Sequence, residues 1–213
     1  MDYVGSLLPQ MLEGLVVTLK VFFVTLLFSV PLGMGVALCR ISHIKIIKSI
    51  SGIYVWVMRG TPLLLQLVVI FFGLPLVDIN LDRFPAAILA FVLNYAAYFG
   101  EIFRAGILDV DNGQIEASEI LGFSKAHTLI RIVMPQMIKK VFPAIANEVI
   151  TLVKDTSLVY VVGLGELLRA GKIASNRDAS LAPLFLVGAI YLIVIAILTL
   201  VFNKLEEKYS YYN

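Results

Sequence analysis

Glu148, Thr151 and Asp155 stand at spacings i, i+3 and i+7 within one largely apolar stretch. On a helix this puts two carboxylates and a hydroxyl on a single stripe. No basic residue shares that stripe, because Lys154 is turned about 100° from Asp155, towards the side of Asn147. At about 1.5 Å per residue the two carboxylates straddle the centre of a membrane-length helix, each about 5 Å from it. An ionisable group at that depth costs several kcal/mol unless it is paired or faces water, so it is a functional candidate by default. The chemistry on offer is the binding of a cationic or ammonium-bearing solute; the competing reading is a polar cluster that glues helices together. Arg59-Gly60-Thr61-Pro62 is the second candidate. Proline removes a backbone donor and clashes with the preceding turn, so the helix is expected to break or at least kink here. Unwound backbone at membrane depth is tolerated where it faces protein or a water-filled cavity, and broken helices are common sites of solute binding. With Asn94 at comparable depth, the eight residues Arg59, Gly60, Thr61, Pro62, Asn94, Glu148, Thr151 and Asp155 are expected to line one cavity. Glu101 and Arg104, three apart near the end of their segment, read as a structural ion pair.

Other chemistry is missing. Gly163-Leu164-Gly165 lacks the third glycine of a dinucleotide fingerprint, since Leu168 occupies that place, and Lys172 is followed by Ile173 where a phosphate loop needs Ser or Thr. A bend after a helix is the better reading of that stretch. His43 and His127 have no metal-ligand spacing and are expected to be solvated loop residues, so no metal site is expected. The lone Cys39 excludes an internal disulfide and is expected to be a buried, unreactive thiol. No activated nucleophile is present, so the chain is not read as an enzyme, and any energy must come from another subunit.

The longest polar interval, residues 111–135, is written as structure rather than as a linker. Asp111 and Gln114 have the spacing of a capping box, Gly122 suits the left-handed residue past a helix end, and Ser124 can cap a second short helix that Pro135 would end. Two capped helices between apolar segments are expected to be presented to a partner.

Those residues must be held by membrane-spanning helices. Of 213 residues, 60% are hydrophobic, and the mean hydropathy is +0.93, well above a soluble domain. Five apolar segments account for this, at about 16–39, 53–74, 85–108, 141–162 and 181–202, each long enough to cross at about 20 residues per span. Hydrocarbon makes each a helix. The expectation is an all-α integral membrane protein, with residues 1–213 forming one domain. With the N-terminus outside, Arg40, Lys45, Lys48, Lys125, Arg131, Lys139, Lys140, Lys204 and Lys208 fall inside, against Arg83, Arg169, Lys172 and Arg177 outside. That bias places residues 111–135 and the C-terminus in the cytoplasm. The net charge of +2 is too small to argue for nucleic acid.

Glu116-Ala117-Ser118, then Gly122, then Ile132-Val133-Met134-Pro135 resembles the EAA motif of permease subunits in ATP-binding-cassette importers; Ser118 and Met134 depart from it mildly and the spacing is intact. Arg59-Gly60-Thr61-Pro62, Asn94-Tyr95, Glu101 to Gly106 and Lys154-Asp155-Thr156-Ser157-Leu158 are similar to the polar amino acid uptake branch of that family. The resemblance implies the five-helix core of a type I importer permease in a prokaryotic inner membrane. It implies that Glu116, Ala117, Ser118, Glu119, Gly122 and Pro135 belong to a coupling helix that docks on an ATPase subunit, where ATP and magnesium are bound. The other implied partners are a second ATPase copy, a second permease copy, identical or closely homologous, and an extracytoplasmic binding protein. The two carboxylates favour a basic amino acid (arginine, lysine or histidine) over glutamine or glutamate. Arg59 or Lys154 remains available for the amino acid carboxylate. A self-sufficient secondary transporter is the alternative, which leaves the capped helices unexplained.

Overall fold

The structure is a computed structural model describing residues 2–210; every regular element among them is helical. The first helix, α1, runs unbroken over 39 residues, Asp2–Arg40. Leu7, Met11, Thr18, Val21, Phe22, Thr25, Ser29 and Ala37 are buried along it at helical spacing, giving one inward stripe. Of residues 1–15, expected to precede the first span, those that the structure describes, 2–15, are the opening turns of α1. They look mixed in sequence because only one face is apolar, yet Leu7 and Met11 pack with Leu167, Ala170, Ala174 and Val187 in a cluster of their own.

The second segment is divided. α2 (Lys45–Gly60) and α3 (Leu63–Val68, continued by a π turn Val69–Gly73 and a 3-10 turn Leu74–Val77) meet at 104°. Thr61 and Pro62 between them are extended, so this is a break, well beyond a proline kink. The central helix is α4 (Arg83–Leu108), packed against α1, α2, α3 and α7. Its inward positions mix small and aromatic residues: Ala86, Ala90, Phe91, Tyr95, Ala96 and Phe99 are almost fully buried. A Cβ added at Gly33 of α1 would stand 2.7 Å from the Phe99 Cβ, and one at Gly100 would stand 2.7 Å from the Val36 Cγ1. Reciprocal glycines thus set how closely α1 and α4 cross.

α5 (Asn112–Ile120) and the short α6 (Lys125–Thr128) form a hairpin. A π turn, Leu129–Val133, then leads into α7 (Met134–Asp155), followed by a 3-10 segment Thr156–Val162. The chain closes with α8 (Leu167–Arg177) and α9 (Ala182–Ser210). By length and composition α1, α4 and α9 can each cross a membrane, and the bent α2–α3 pair counts as a fourth candidate. α7 is not among them: Lys139, Lys140, Glu148, Lys154 and Asp155 make it too polar to face lipid all round.

Several local expectations need correcting. Pro135 does not end a helix; it occupies the first turn of α7, where its missing N–H costs little, and the π turn before it absorbs the change of register. The stretch after Gly163, expected to be only a bend, turns at that left-handed glycine and then forms α8. Cys39 is exposed rather than buried, because it lies off the inward stripe of α1. His127 is an exposed residue of α6 rather than of a loop.

Candidate functional site

The break at residues 59–62 is built from the missing proline donor outward. In an intact helix the Met58 carbonyl would accept from the N–H of residue 62, which proline lacks. Two side-chain amides replace it: Asn94 Nδ2 and Gln66 Nε2 each donate to the Met58 carbonyl at 2.9 Å. Asn94 also donates to Gln66 Oε1 at 3.0 Å, while Gln66 Nε2 reaches Thr61 Oγ1 at 2.8 Å. The Thr61 hydroxyl donates back to the Val57 carbonyl at 2.8 Å. Asn94, almost fully buried on α4, therefore has both amide hydrogens engaged in holding the break open. Its replacement by leucine is expected to remove one donor from each of two half-buried oxygens, the Met58 carbonyl keeping its bond from Gln66, and to cost about 1–2 kcal/mol. Thermal unfolding of the purified chain in detergent checks this, and an unchanged midpoint would contradict it.

The broken helix faces a cavity of about 640 Å³. Arg59, Gly60, Thr61, Pro62, Asn94, Glu148, Thr151 and Asp155, brought together from three helices and a loop, all line it. Leu63, Leu64, Tyr95, Tyr98 and Leu158 complete the wall. Lys154 is exposed and is not part of this lining. The Tyr95 hydroxyl donates to Asp155 Oδ2 at 2.7 Å, fixing that carboxylate between α4 and the end of α7. The Arg59 guanidinium lies over the Tyr98 ring, 5.1 Å from its centroid, a cation–π contact that holds the cation at the rim. Thr151 donates its hydroxyl hydrogen to the Asn147 carbonyl, leaving its oxygen lone pairs to accept. Glu148, Asp155 and Arg59 are the charged groups of the lining. Two carboxylates and one guanidinium can hold an ammonium, a second cation and a carboxylate at once.

A neighbouring cavity, also of about 640 Å³, shares Arg59, Tyr98 and Glu148 with the first and is lined further along by Glu101, Arg104, Lys140 and Asn147. Arg104 Nη2 pairs with Glu101 Oε2 at 2.8 Å, the expected i, i+3 contact, and Arg40 of α1 adds a bond from its Nε to Glu101 Oε1 at 3.0 Å. Glu101 thus ties α1 to α4 at the edge of this second chamber.

The hairpin is ordered by its own side chains. Asp111 accepts from the Gly113 N–H and Ser124 from the His127 N–H, and Gly122 has φ of +77°. The capping box is only half made: Gln114 Oε1 instead accepts from Gln136 Nε2 at 2.6 Å. Ser118 is buried, bonded to the Ile115 carbonyl and to Thr128 Oγ1, so it joins α5 to α6. Glu116, Ala117, Glu119 and Pro135 are exposed around it, and so is an apolar tip in which Ile120 is 86% and Leu121 71% exposed.

Tyr95, Tyr98 and Gln66 belong to the site but were not singled out in the sequence as ligands. Gln66 had a signal available: an amide in an otherwise apolar run, four residues after the proline whose orphan it serves. Glu166 was also missed. It is fully buried and caps α8 by accepting from the Leu168 and Arg169 N–H groups at 2.6 Å, with Tyr191 donating to it at 3.2 Å. Burial pushes its carboxyl above the usual range, and the two backbone bonds pull against that.

The comparisons with known proteins agree with this architecture. Residues 29–211 match the family described as "Binding-protein-dependent transport system inner membrane component". The arginine transport system permease protein ArtQ of Bacillus subtilis is 42% identical over 203 residues, covering 94% of this chain and 93% of that protein. The L-cystine transport system permease protein TcyB of the same organism is 36% identical over 209 residues, covering 97% and 89%. The crystal structure of an amino acid ABC transporter with histidines superposes with a TM-score of 0.89 at 35% identity, covering 97% of each chain. A methionine ABC transporter structure, at 20% identity and a TM-score of 0.73, shares the fold. The chain belongs to the family of inner-membrane components of binding-protein-dependent transport systems, as an ATP-binding-cassette importer permease of the polar amino acid branch.

Proposed function

We propose that this permease imports basic amino acids, and that the cavity between α2, α3, α4 and α7 is where they bind in the membrane. The observation that carries the reading is the gathering of Glu148, Asp155 and Arg59 around one chamber of about 640 Å³. Counted formally, two carboxylates and one guanidinium leave that chamber at minus one. A basic amino acid, carrying two cationic groups and one carboxylate, brings plus one and neutralises it. Glutamine would leave the charge standing, and glutamate would add to it, at a cost that low dielectric makes large. Arg59 would receive the amino acid carboxylate. Glu148 and Asp155 would take the ammonium and the cationic side chain, and Thr151 would offer an acceptor. Lys154, exposed and outside the lining, drops out as the carboxylate partner. The name of the arginine permease relative is in keeping with this, whereas a relative in Rickettsia felis, 32% identical over 212 residues, is provisionally named for glutamine.

The rest of the reading follows from the family and from the hairpin. Five spans, with α7 as the polar one shielded by its neighbours, would put the N-terminus outside and the α5–α6 hairpin in the cytoplasm. Glu116, Ala117, Glu119 and Gly122 would dock on an ATPase subunit that binds ATP and magnesium; the permease itself would bind no cofactor. Two such subunits, a second permease copy and an external binding protein complete the assembly. Nucleotide would bias the paired permeases between inward-open and outward-open states. The test is uptake competition in proteoliposomes holding the assembled complex. Arginine, lysine and histidine are expected to compete with one another, with glutamine far weaker; equal transport of glutamate and arginine would overturn the charge argument.

A further inference from the structure

Where α1 ends and α2 begins lies a groove of about 500 Å³, separate from both chambers and from the hairpin. Arg40 forms one wall; Lys45, Lys48 and Ser49 line one end, and Ile53 and Trp56 the other. On α2 these positions make one stripe about 16 Å long, cationic at the start and apolar at the finish. Gly52 lets the walls approach: a Cβ there would stand 2.9 Å from Arg40 Nη1, so the guanidinium lies against the α2 backbone. Arg40 is already paired with Glu101, but neither Lys45 nor Lys48 takes part in an ion pair among the described residues. Both lysines sit in the first turn of α2, where the helix dipole disfavours cations, with no acidic residue and no side-chain cap to offset them. The apolar candidate span of α1 ends at Arg40, so the lysines stand at the membrane–water boundary and Trp56, 76% exposed, stands deeper.

We propose that this groove is a binding site for an anionic phospholipid, with the headgroup phosphate on Lys45 and Lys48 and the upper acyl chain along Ile53 and Trp56. Basic grooves between helices at a membrane surface recognise such headgroups by charge. The apolar half of the stripe distinguishes a lipid from a soluble phosphate, which would leave Ile53 and Trp56 without a partner.

Trp56 is the only tryptophan of the chain, so its fluorescence reports on this groove alone. The experiment reconstitutes the full-length chain in bilayers containing brominated phosphatidylglycerol or brominated phosphatidylcholine and measures quenching. The wild type is expected to show a relative association on the order of tenfold in favour of the anionic lipid. The double substitution Lys45→Gln, Lys48→Gln is expected to bring the ratio to about one, whereas Lys125→Gln on the hairpin with Arg131→Gln on the π turn after it leaves it unchanged. A wild-type ratio near one overturns the proposal and needs no variant to read. Equal loss in the hairpin variant would reduce the effect to overall charge and overturn it too. So would inorganic phosphate that abolishes the preference, since it would assign the lysines to a soluble anion.

Discussion

Asp155→Asn is expected to lower kcat/KM for arginine uptake about 30-fold or more in proteoliposomes carrying the assembled complex, while glutamine uptake changes by less than about threefold. Removing one member of a desolvated charge pair costs about 2–5 kcal/mol, much of it from leaving the partner's charge unmatched. Here the partner is the substrate's cation, and the chamber retains only Glu148 against Arg59. The substitution suits the test because the Tyr95 hydroxyl, 2.7 Å from Asp155 Oδ2, can donate to an amide oxygen as it does to the carboxylate. Assembly should therefore survive, and size-exclusion of the complex checks that it does. If arginine and glutamine uptake fall together, or the complex fails to assemble, the carboxylate is a structural tie between α4 and α7 and the binding role is wrong.

Gly122→Trp is expected to abolish co-purification of the ATPase subunit and to reduce ATP-driven uptake to background. Gly122 has φ of +77°, and apart from its own residue and its two chain neighbours no heavy atom lies within 4 Å of where its Cβ would be. A Cβ there has open space, so the first atom of a tryptophan side chain is accommodated, and the left-handed backbone costs it roughly 1–2 kcal/mol. The fold should hold, with circular dichroism unchanged and the unfolding midpoint lowered by only a few degrees, while the indole projects beside exposed Ile120 and Leu121 into whatever surface covers that tip. Gly122→Asn, tolerant of the left-handed conformation, is the companion variant and should keep most of the coupling. Normal ATPase capture by the tryptophan variant would dismiss the hairpin as the docking element.

Much of the chemistry was legible because it is local. Pro62 lacks a donor whatever surrounds it, and the stripe of Glu148, Thr151 and Asp155 follows from 3.6 residues per turn. The cap at Ser124 and the left-handed turn at Gly122 need only backbone sterics and one side-chain oxygen. Where local rules point two ways, the sequence alone does not choose between them. Pro135 can stop a helix or begin one, and the π turn ahead of it decided for beginning. Cys39 sits in an apolar run, but its place around α1 faces outward. The opening turns of α1 read as a mixed segment, because only half of the helix surface is apolar and its partner, α8, is remote in sequence.

The sequence by itself therefore determined the helical, membrane-compatible character of the chain, an interruption at Pro62 that could be a break or a kink, the paired carboxylates and the turn at Gly122. Each depends on neighbours within a turn or so, where covalent geometry leaves few options. Only the tertiary structure decided that Asn94 and Gln66 take over the Met58 carbonyl, that Tyr95 holds Asp155 from 60 residues away, and that Lys154 stays outside the chamber. Those outcomes depend on how closely α1, α4 and α7 approach and on their rotation about their axes. Contacts such as that of Gly33 with Phe99 set these quantities, and no periodicity along one helix encodes them.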